Sequence, residues 1–398
     1  MSSAPSAESG TLGGFPGSAA TDPARPAEPP PRAAPRSRSG RLEAVDWLRG
    51  FAVVLMIQTH LFDAWCSPAA KHTQVYAWSR YLGGVPSRLF LLLVGVSMAI
   101  RYESQLRRGV PRADMVRQVA RRGLEILGLA YLFRLQEYLL GGWGPNWPDL
   151  FRVDILNCIG ASMIAASAIA APRNGRPAIW ACLGGAAVAI ALGPVLGPHH
   201  FPSYLPRPIT SYLGGERPMS WFPLCPWVAW VLIGVVLGHY WVRQSVTARG
   251  QAIAFVVTGA VGYAMVEAVA LVRRIDPHII RYPSDLVQQM GPGSFFHRLG
   301  WMGPMALGSY LVSRYVRLGF SPMRQLGQTS LLVYWVHVEL CYGYAFAGFH
   351  GRLSIPQAIV GLVLMTAAMV GVSVLRTKYW QGWPWRRPRP VAIASPPA

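Results

Sequence analysis

Apolar residues in this chain gather in runs of about twenty, the length that carries a helix across the hydrocarbon core of a bilayer. Short stretches rich in arginine, proline and glycine separate the runs. Five fall near Val45 to Cys66, Leu82 to Ile100, Arg122 to Leu140, Ile155 to Ala171 and Ala178 to Leu196. Five more fall near Leu224 to Trp241, Ile253 to Val272, Leu299 to Val316, Gly327 to Phe346 and Gln357 to Leu375. The pattern predicts an all-α, polytopic membrane protein with about ten transmembrane helices. The runs define a membrane domain over residues 42–380. Residues 1–41 lack any apolar run and are rich in Pro, Ala, Ser and Gly, so a disordered tail is expected rather than a signal peptide. Residues 381–398 read as a second disordered tail, basic in character.

Polar residues interrupt the apolar runs at particular places. The first run opens with Asp46-Trp47-Leu48-Arg49-Gly50 and carries His60 and Asp63 towards its end. On a helix, Arg49 and His60 share one face about 16 Å apart along the axis. Asp46 and Arg49 stand one turn apart and can pair. Arg88 begins the second run, Arg134 and Glu137 end the third, and Asp154 and Asn157 begin the fourth. Glu267, His337 and Glu339 lie late in later runs. Lipid-facing charges at such depths are costly, so these groups are expected to face one another or water in a polar chamber. His297 and His337, taken singly, read first as packing residues.

Arginine placement sets the expected topology. With the N-terminus in the cytoplasm, the clusters around Arg38, Arg107, Arg121, Arg243, Arg314 and Arg387 all fall inside, which gives cytoplasmic termini. The stretches from Gly197 to Pro223 and from Arg273 to Phe296 then lie outside, where long loops suit the walls of a substrate pocket. The polar chamber opens to that outer side. At the opposite end Arg117, Arg121 and Arg122 crowd the mouth of the third run. Such a cluster suits the phosphates of a cytoplasmic donor, although anionic lipid contact would also explain it.

Composition narrows the class further. Hydrophobic residues make up 52% of the 398 and charged residues only 14%, against about 25% in soluble domains. The formal charge of +20 resides almost wholly in arginine, since lysine occurs only at Lys71 and Lys378. These arginines punctuate apolar runs instead of forming a stripe, which argues against nucleic acid as a partner. Arginine, alanine, glycine and proline in such abundance suggest a GC-rich genome and hence a bacterial inner membrane. The five cysteines are scattered without paired spacing and read as packing residues. No metal-binding spacing is visible, so no metal is expected.

The stretch from Arg41-Leu42 through His60 resembles the opening of bacterial proteins grouped with heparan-alpha-glucosaminide N-acetyltransferase. Pro86-Ser87-Arg88-Leu89-Phe90 through Ser97 is similar to that family's second-helix signature, and Arg152-Val153-Asp154 through Gly160 to its fourth-helix block. These motifs cover Arg41 to Ala171. Beyond them the match is in hydropathy and in Gly327-Gln328-Thr329-Ser330-Leu331, an echo of related membrane acyltransferases. The Arg49–His60 separation also resembles the arginine–histidine motif of the acyltransferase-3 family.

The resemblance implies transfer of an acyl group, usually acetyl, across a membrane. Acetyl-CoA would be the cytoplasmic co-substrate and the acceptor an amine or hydroxyl of an external sugar or envelope glycan. Membrane lipids would surround the protein, and the resemblance leaves a homodimer open. Two histidines fit the catalytic position. His60 matches the acyltransferase-3 pattern, while Lys71-His72 occupies the place of a Lys-His pair in the animal enzymes. His60 is preferred because Arg49 and Asp63 share its helix.

The chemistry follows from the residue types. A histidine base can take the acceptor's proton, and Asp63 one turn away could orient its ring. Arg88 or Arg134 could stabilise the oxyanion, and Glu137 or Asp154 could hold the acceptor, with Asn157 beside them. An acetyl-histidine intermediate is the other route. A multi-pass transporter without chemistry, or a non-catalytic scaffold, would also explain intramembrane charge, but no internal repeat of the kind carriers often have is visible.

Overall fold

The computed structural model describes residues 42–140, 147–170, 175–196, 205–214, 220–275, 291–316 and 319–379. Both tails, most of the two long loops and several of the arginines that set the topology lie outside these residues. Every described regular element is a helix, with isolated bridges at Cys66–Leu353 and Val153–Ser220. In chain order these are α1 (Glu43–Trp65), α2 (Pro68–Lys71), α3 (Gln74–Gly83), α4 (Val85–Leu106), α5 (Arg112–Leu140), α6 (Ile155–Ala170) and α7 (Arg176–Leu196). They continue with α8 (Arg207–Leu213), α9 (Leu224–Gln244), α10 (Ala248–Ile275), α11 (Pro292–Tyr315), α12 (Pro322–Gln328), α13 (Ser330–Tyr342) and α14 (Ile355–Tyr379).

The ten apolar runs lie mostly on helix, but the run from Gly327 to Phe346 is broken at Thr329 and Gly343, and the run from Leu82 to Ile100 at Gly84. Among the described residues five helical segments are long and apolar enough to cross a membrane: Gln74–Leu106 (α3 with α4), α7, α9, α10 and α14. Three of these carry broad apolar faces with no protein against them. Trp180, Val188 and Val195 on α7, Val257 and Val261 on α10, and Val360, Val363 and Leu364 on α14 are all exposed. A contiguous apolar face of that kind belongs against lipid.

Small residues bring the other helices close. A Cβ on Gly95 of α4 would strike the backbone of α9 at Val231, and one on Gly234 would strike the backbone of α4 at Leu92. Gly234 and Gly238 form the small-x-x-x-small spacing that lets membrane helices touch through their backbones. The same device joins α1 to α12, where Gly50 abuts Met323 O and Gly327 abuts Asp46 O. Polar hydrogen bonds fasten α12 to α14: Gln325 Nε2 donates to Ser373 O at 2.9 Å and to Thr377 Oγ1 at 3.0 Å. An aromatic stack of Trp241, Phe255 and Tyr310 ties α9, α10 and α11, with centroids 4.6 and 4.8 Å apart.

Helices α1, α4, α5 and α13 supply much of the wall of one cavity. Arg49 NH2 donates to Ser97 Oγ at 2.8 Å, while Thr59 packs on Gly83 just before α4 starts, so α1 and α4 run antiparallel. Gln105 Nε2 of α4 donates to Gln118 Oε1 of α5 at 2.7 Å, which pairs the end of α4 with the start of α5. The helix breaks at Thr329, and α13 then runs parallel to α1 from Ser330 to Tyr342. Its far end is sealed where Trp65 Nε1 donates to Cys341 O at 2.9 Å and Leu353 N donates to Trp65 O at 2.8 Å.

Candidate active site

A cavity of about 1780 Å³ lies between α1, α3, α4, α5, α6 and α13. Sites for one small molecule usually enclose about 300–1,000 Å³, so this one has room for two ligands together. Its wall on α4 is a single helical face: Ser87, Phe90, Val94, Ser97 and Arg101 all line it. From Ser87 to Arg101 the wall extends about 21 Å along the helix axis.

Charge divides the cavity along that length. Towards the end of α4 its lining cations are Arg49, Arg101 and Arg122. Arg101 donates to Gln118 Oε1 at 2.8 Å, and Arg122 pairs with Glu125 at 3.0 Å. Arg49 pairs with buried Asp46 at 3.6 Å. Neither Glu125 nor Asp46 reaches the cavity wall. The carboxylates that do line it (Asp63, Glu137, Asp149, Asp154 and Glu339) all sit at the opposite end, with Arg80, Arg134, Arg152 and Arg298 among them. One end is therefore purely basic at its surface, and the other is mixed.

His60 lines the mixed end. Its Nδ1 lies 2.9 Å from Nε2 of His337 on α13. The two rings are inclined by only 9° with centroids 5.1 Å apart. That separation is the N···N distance extended by two half-rings, so the imidazoles meet edge to edge in almost one plane. His337 is fully buried behind His60, and its Nδ1 lies 2.6 Å from Val333 O one turn back. Tyr342 sets its ring edge-on to His60 at 5.8 Å and donates its hydroxyl to Asp63 Oδ2 at 3.0 Å. Asp63 also faces Arg80 at 3.9 Å. The hydrogen-bond partner of the His60 ring is thus another histidine, and Asp63 engages a tyrosine and an arginine instead.

Across the cavity a four-member ion cluster joins α5 to the start of α6. Buried Arg134 reaches both Glu137 and Asp154, and Arg152 approaches the same two carboxylates at 3.8 and 3.7 Å. Interlocked pairs of this kind satisfy charges that lipid would not tolerate singly. Phe133 packs edge-on to Trp335 at 5.1 Å, and Tyr334 lies edge-on to His337 at 5.9 Å, so an aromatic bridge links the cluster to the histidines.

The other residues singled out from the sequence occupy different places. His72 caps the end of α2 in an exposed position and does not line the cavity, whereas Lys71 turns back to donate from Nζ to Asp63 O at 2.6 Å. Arg88 points away from the cavity, with its guanidinium 4.9 Å from the Trp227 ring centre. Asn157 is buried at the start of α6, where it accepts from Asp154 N and donates to Tyr212 OH, each at 3.3 Å. Burial, reinforced by the hydrogen bond with Tyr131, holds the Tyr212 phenol above its ordinary range. Arg117 and Arg121 are exposed on α5 beside Asp114 and Glu125 and do not line the cavity. Among the described residues no group of three or more His, Cys, Asp or Glu is arranged for a metal ion.

Residues 41–268 match the heparan-alpha-glucosaminide N-acetyltransferase catalytic family, and this span is more than half of the chain. The chain belongs to that family. The match extends well past the motifs that carry the resemblance in the sequence, into the second half of α10. It takes in His60, the basic mouth and the ion cluster, but stops short of α13 and therefore of His337 and Tyr342. No curated protein matches the chain. Membership together with the apolar helices makes it an integral membrane transferase.

Proposed function

We propose that the protein moves an acetyl group from cytoplasmic acetyl-CoA to an amine or hydroxyl of an external sugar or envelope glycan. The observation that carries this reading is the single cavity with a purely basic surface at one end and histidine with carboxylates at the other. A nucleotide thioester is polyanionic at one tip and reactive at the other, so it fits that polarity. Arg101 and Arg122 would hold its phosphates, with Arg117 and Arg121 adding field outside the mouth. The slender arm would lie along Arg49 and Ser97 and bring the thioester to His60. The mixed end, with Glu137, Asp154 and Glu339, suits an acceptor rich in hydroxyls or bearing an ammonium.

In the chemical step an amine or hydroxyl of the acceptor attacks the thioester carbonyl carbon. His60 takes the proton released from the attacking atom, and the carbonyl becomes a tetrahedral oxyanion. Arg134, Arg152 or Arg298 could face that charge from the lining. Collapse breaks the C–S bond, and the CoA sulfur leaves with the proton returned from His60. The acetylated acceptor and free CoA are the products, and no oxidant or reductant is needed. In this reading the Arg101 end faces the cytoplasm of a bacterial cell, with ten spans and both termini inside, and the positive-inside bias of the arginines supports that orientation.

The test is vectorial. Purified protein is reconstituted in vesicles holding glucosamine, and acetyl-labelled acetyl-CoA is added outside. Labelled, acetylated sugar trapped inside is the expected result. Loss of unmodified sugar from the vesicles, with no label captured, would instead assign the cavity to a carrier.

A further inference from the structure

We infer that His337 is a positioning residue that fixes the proton of His60 on Nδ1 and so leaves Nε2 as its basic atom. The inference rests on the proposed role of His60 and adds to it a residue outside the family match.

The assignment follows from hydrogen-bond bookkeeping. A backbone carbonyl can only accept, so the 2.6 Å contact to Val333 O requires a proton on His337 Nδ1. His337 has no exposed surface, and among the described residues it hydrogen-bonds to no carboxylate, so an imidazolium there would be a buried, unpaired charge. The neutral ring with Nδ1–H therefore presents a bare lone pair at Nε2. That atom lies 2.9 Å from His60 Nδ1, and only a proton on His60 Nδ1 makes this contact a hydrogen bond. A neutral His60 then has its lone pair on Nε2, which has no protein partner among the described residues, while its ring lines the cavity.

The relay runs from the Val333 carbonyl through His337 to His60. It does for His60 what a carboxylate does in many histidine sites: it selects the tautomer and pins the ring plane. A neutral partner is the form of this device that a fully buried position tolerates. The near-coplanar rings fit this role, because an imidazole donates and accepts in its own plane. When His60 takes a proton on Nε2, the bond to His337 strengthens, since the donor is then cationic.

The test is nitrogen-15 NMR of the full-length, histidine-labelled protein in bilayers, with the His60 signals identified by their loss in His60→Gln. The expected wild-type spectrum has a protonated Nδ1 and an unprotonated Nε2 on His60. A spectrum with the proton on Nε2 overturns the inference whatever the activity proves to be. Two variants carry the functional arm. His337→Phe should lose the fixed tautomer and lower kcat by about 100-fold with the KM for acetyl-CoA unchanged. His337→Gln offers an amide oxygen to His60 and an amide N–H to Val333, so it should restore the tautomer and most of kcat. Equal loss in both variants, with the His60 tautomer intact, would reduce His337 to packing. An active His60→Ala enzyme would remove the catalytic reading of His60 while leaving the tautomer result standing.

Discussion

Removing the Arg122 guanidinium should weaken the donor and leave the chemistry alone. Arg122 lines the basic mouth with a side chain 41% exposed, and one of its N–H groups already engages Glu125 at 3.0 Å. A charge-assisted hydrogen bond to a phosphate contributes about 1.5–3 kcal/mol when well shielded. Exposure and the competing Glu125 reduce this to about 1 kcal/mol, or about fivefold in affinity. Arg122→Gln should therefore raise the KM for acetyl-CoA about fivefold, and Arg101→Gln with Arg122→Gln about 30-fold, if the two contributions add. The value of kcat should hold, because this mouth is about 21 Å along α4 from the His60 end. The assay is steady-state CoA release at several salt concentrations, with acetyl-pantetheine as a second donor. Salt should raise the wild-type KM for acetyl-CoA more than that of the double variant. Acetyl-pantetheine has no nucleotide, so its KM should ignore both arginines. Equal weakening of both donors, or no change for acetyl-CoA, would refute a phosphate-binding mouth.

Three further outcomes follow from the packing and the site. Asp63→Asn should cost less than tenfold in kcat, because Asp63 contacts Tyr342 and Arg80 and leaves the ring of His60 to His337; a loss matching that of His60→Ala would give Asp63 the orienting role. Asp154→Ala strips a partner from buried Arg134 and should destabilise the protein by about 3–5 kcal/mol, seen as a lower Tm in detergent. Replacing both Arg134 and Asp154 with apolar residues should recover part of that loss, and no recovery would contradict the unpaired-charge argument. Gly327→Leu drives a side chain into the α1 backbone at Asp46 and should cost at least 1–3 kcal/mol, about the range for overpacking, whereas Gly308→Ala meets open space and should be neutral or slightly stabilising. Equal Tm values for the two glycine variants would contradict the close approach of α1 and α12.

Periodicity made much of this architecture readable. Most of the apolar runs are helical, because length and apolarity select that conformation wherever backbone groups must pair internally, whereas the breaks at Thr329 and Gly343 inside one run left no mark in its apolarity. Helix ends were less legible: α5 starts at Arg112, well before the apolar run at Arg122, since apolarity marks depth in a bilayer and not where a helix begins. The amphipathic α3 has too little apolar character to register as a span on its own. Arg49 and His60 were visible because both lie on one helix, where spacing alone fixes their common face. Helical phase also separates Ser87 and Phe90, which line the cavity, from Arg88, which turns to Trp227; charge had drawn attention to Arg88 ahead of phase. His337 stands out in the sequence only as a polar residue late in an apolar run, and its pairing with His60 is not legible there, since the two are 277 residues apart in the chain. Only the packing of α13 beside α1 reveals why that histidine is there. Arg152 was visible only as part of a motif, and its place in the ion cluster depends on how the segment before α6 folds back over α5.

The central claim is that a thioester entering the basic mouth is cleaved at His60. Purified wild-type protein given acetyl-CoA and mixed amino sugars should release CoA in step with acetylated sugar. His60→Ala should lower that rate by about 10²–10⁴-fold, the usual contribution of a general base, while His72→Ala stays near wild type. An enzyme silenced by His72→Ala and unaffected by His60→Ala would contradict the account and move the chemistry out of the cavity to the exposed turn after α2.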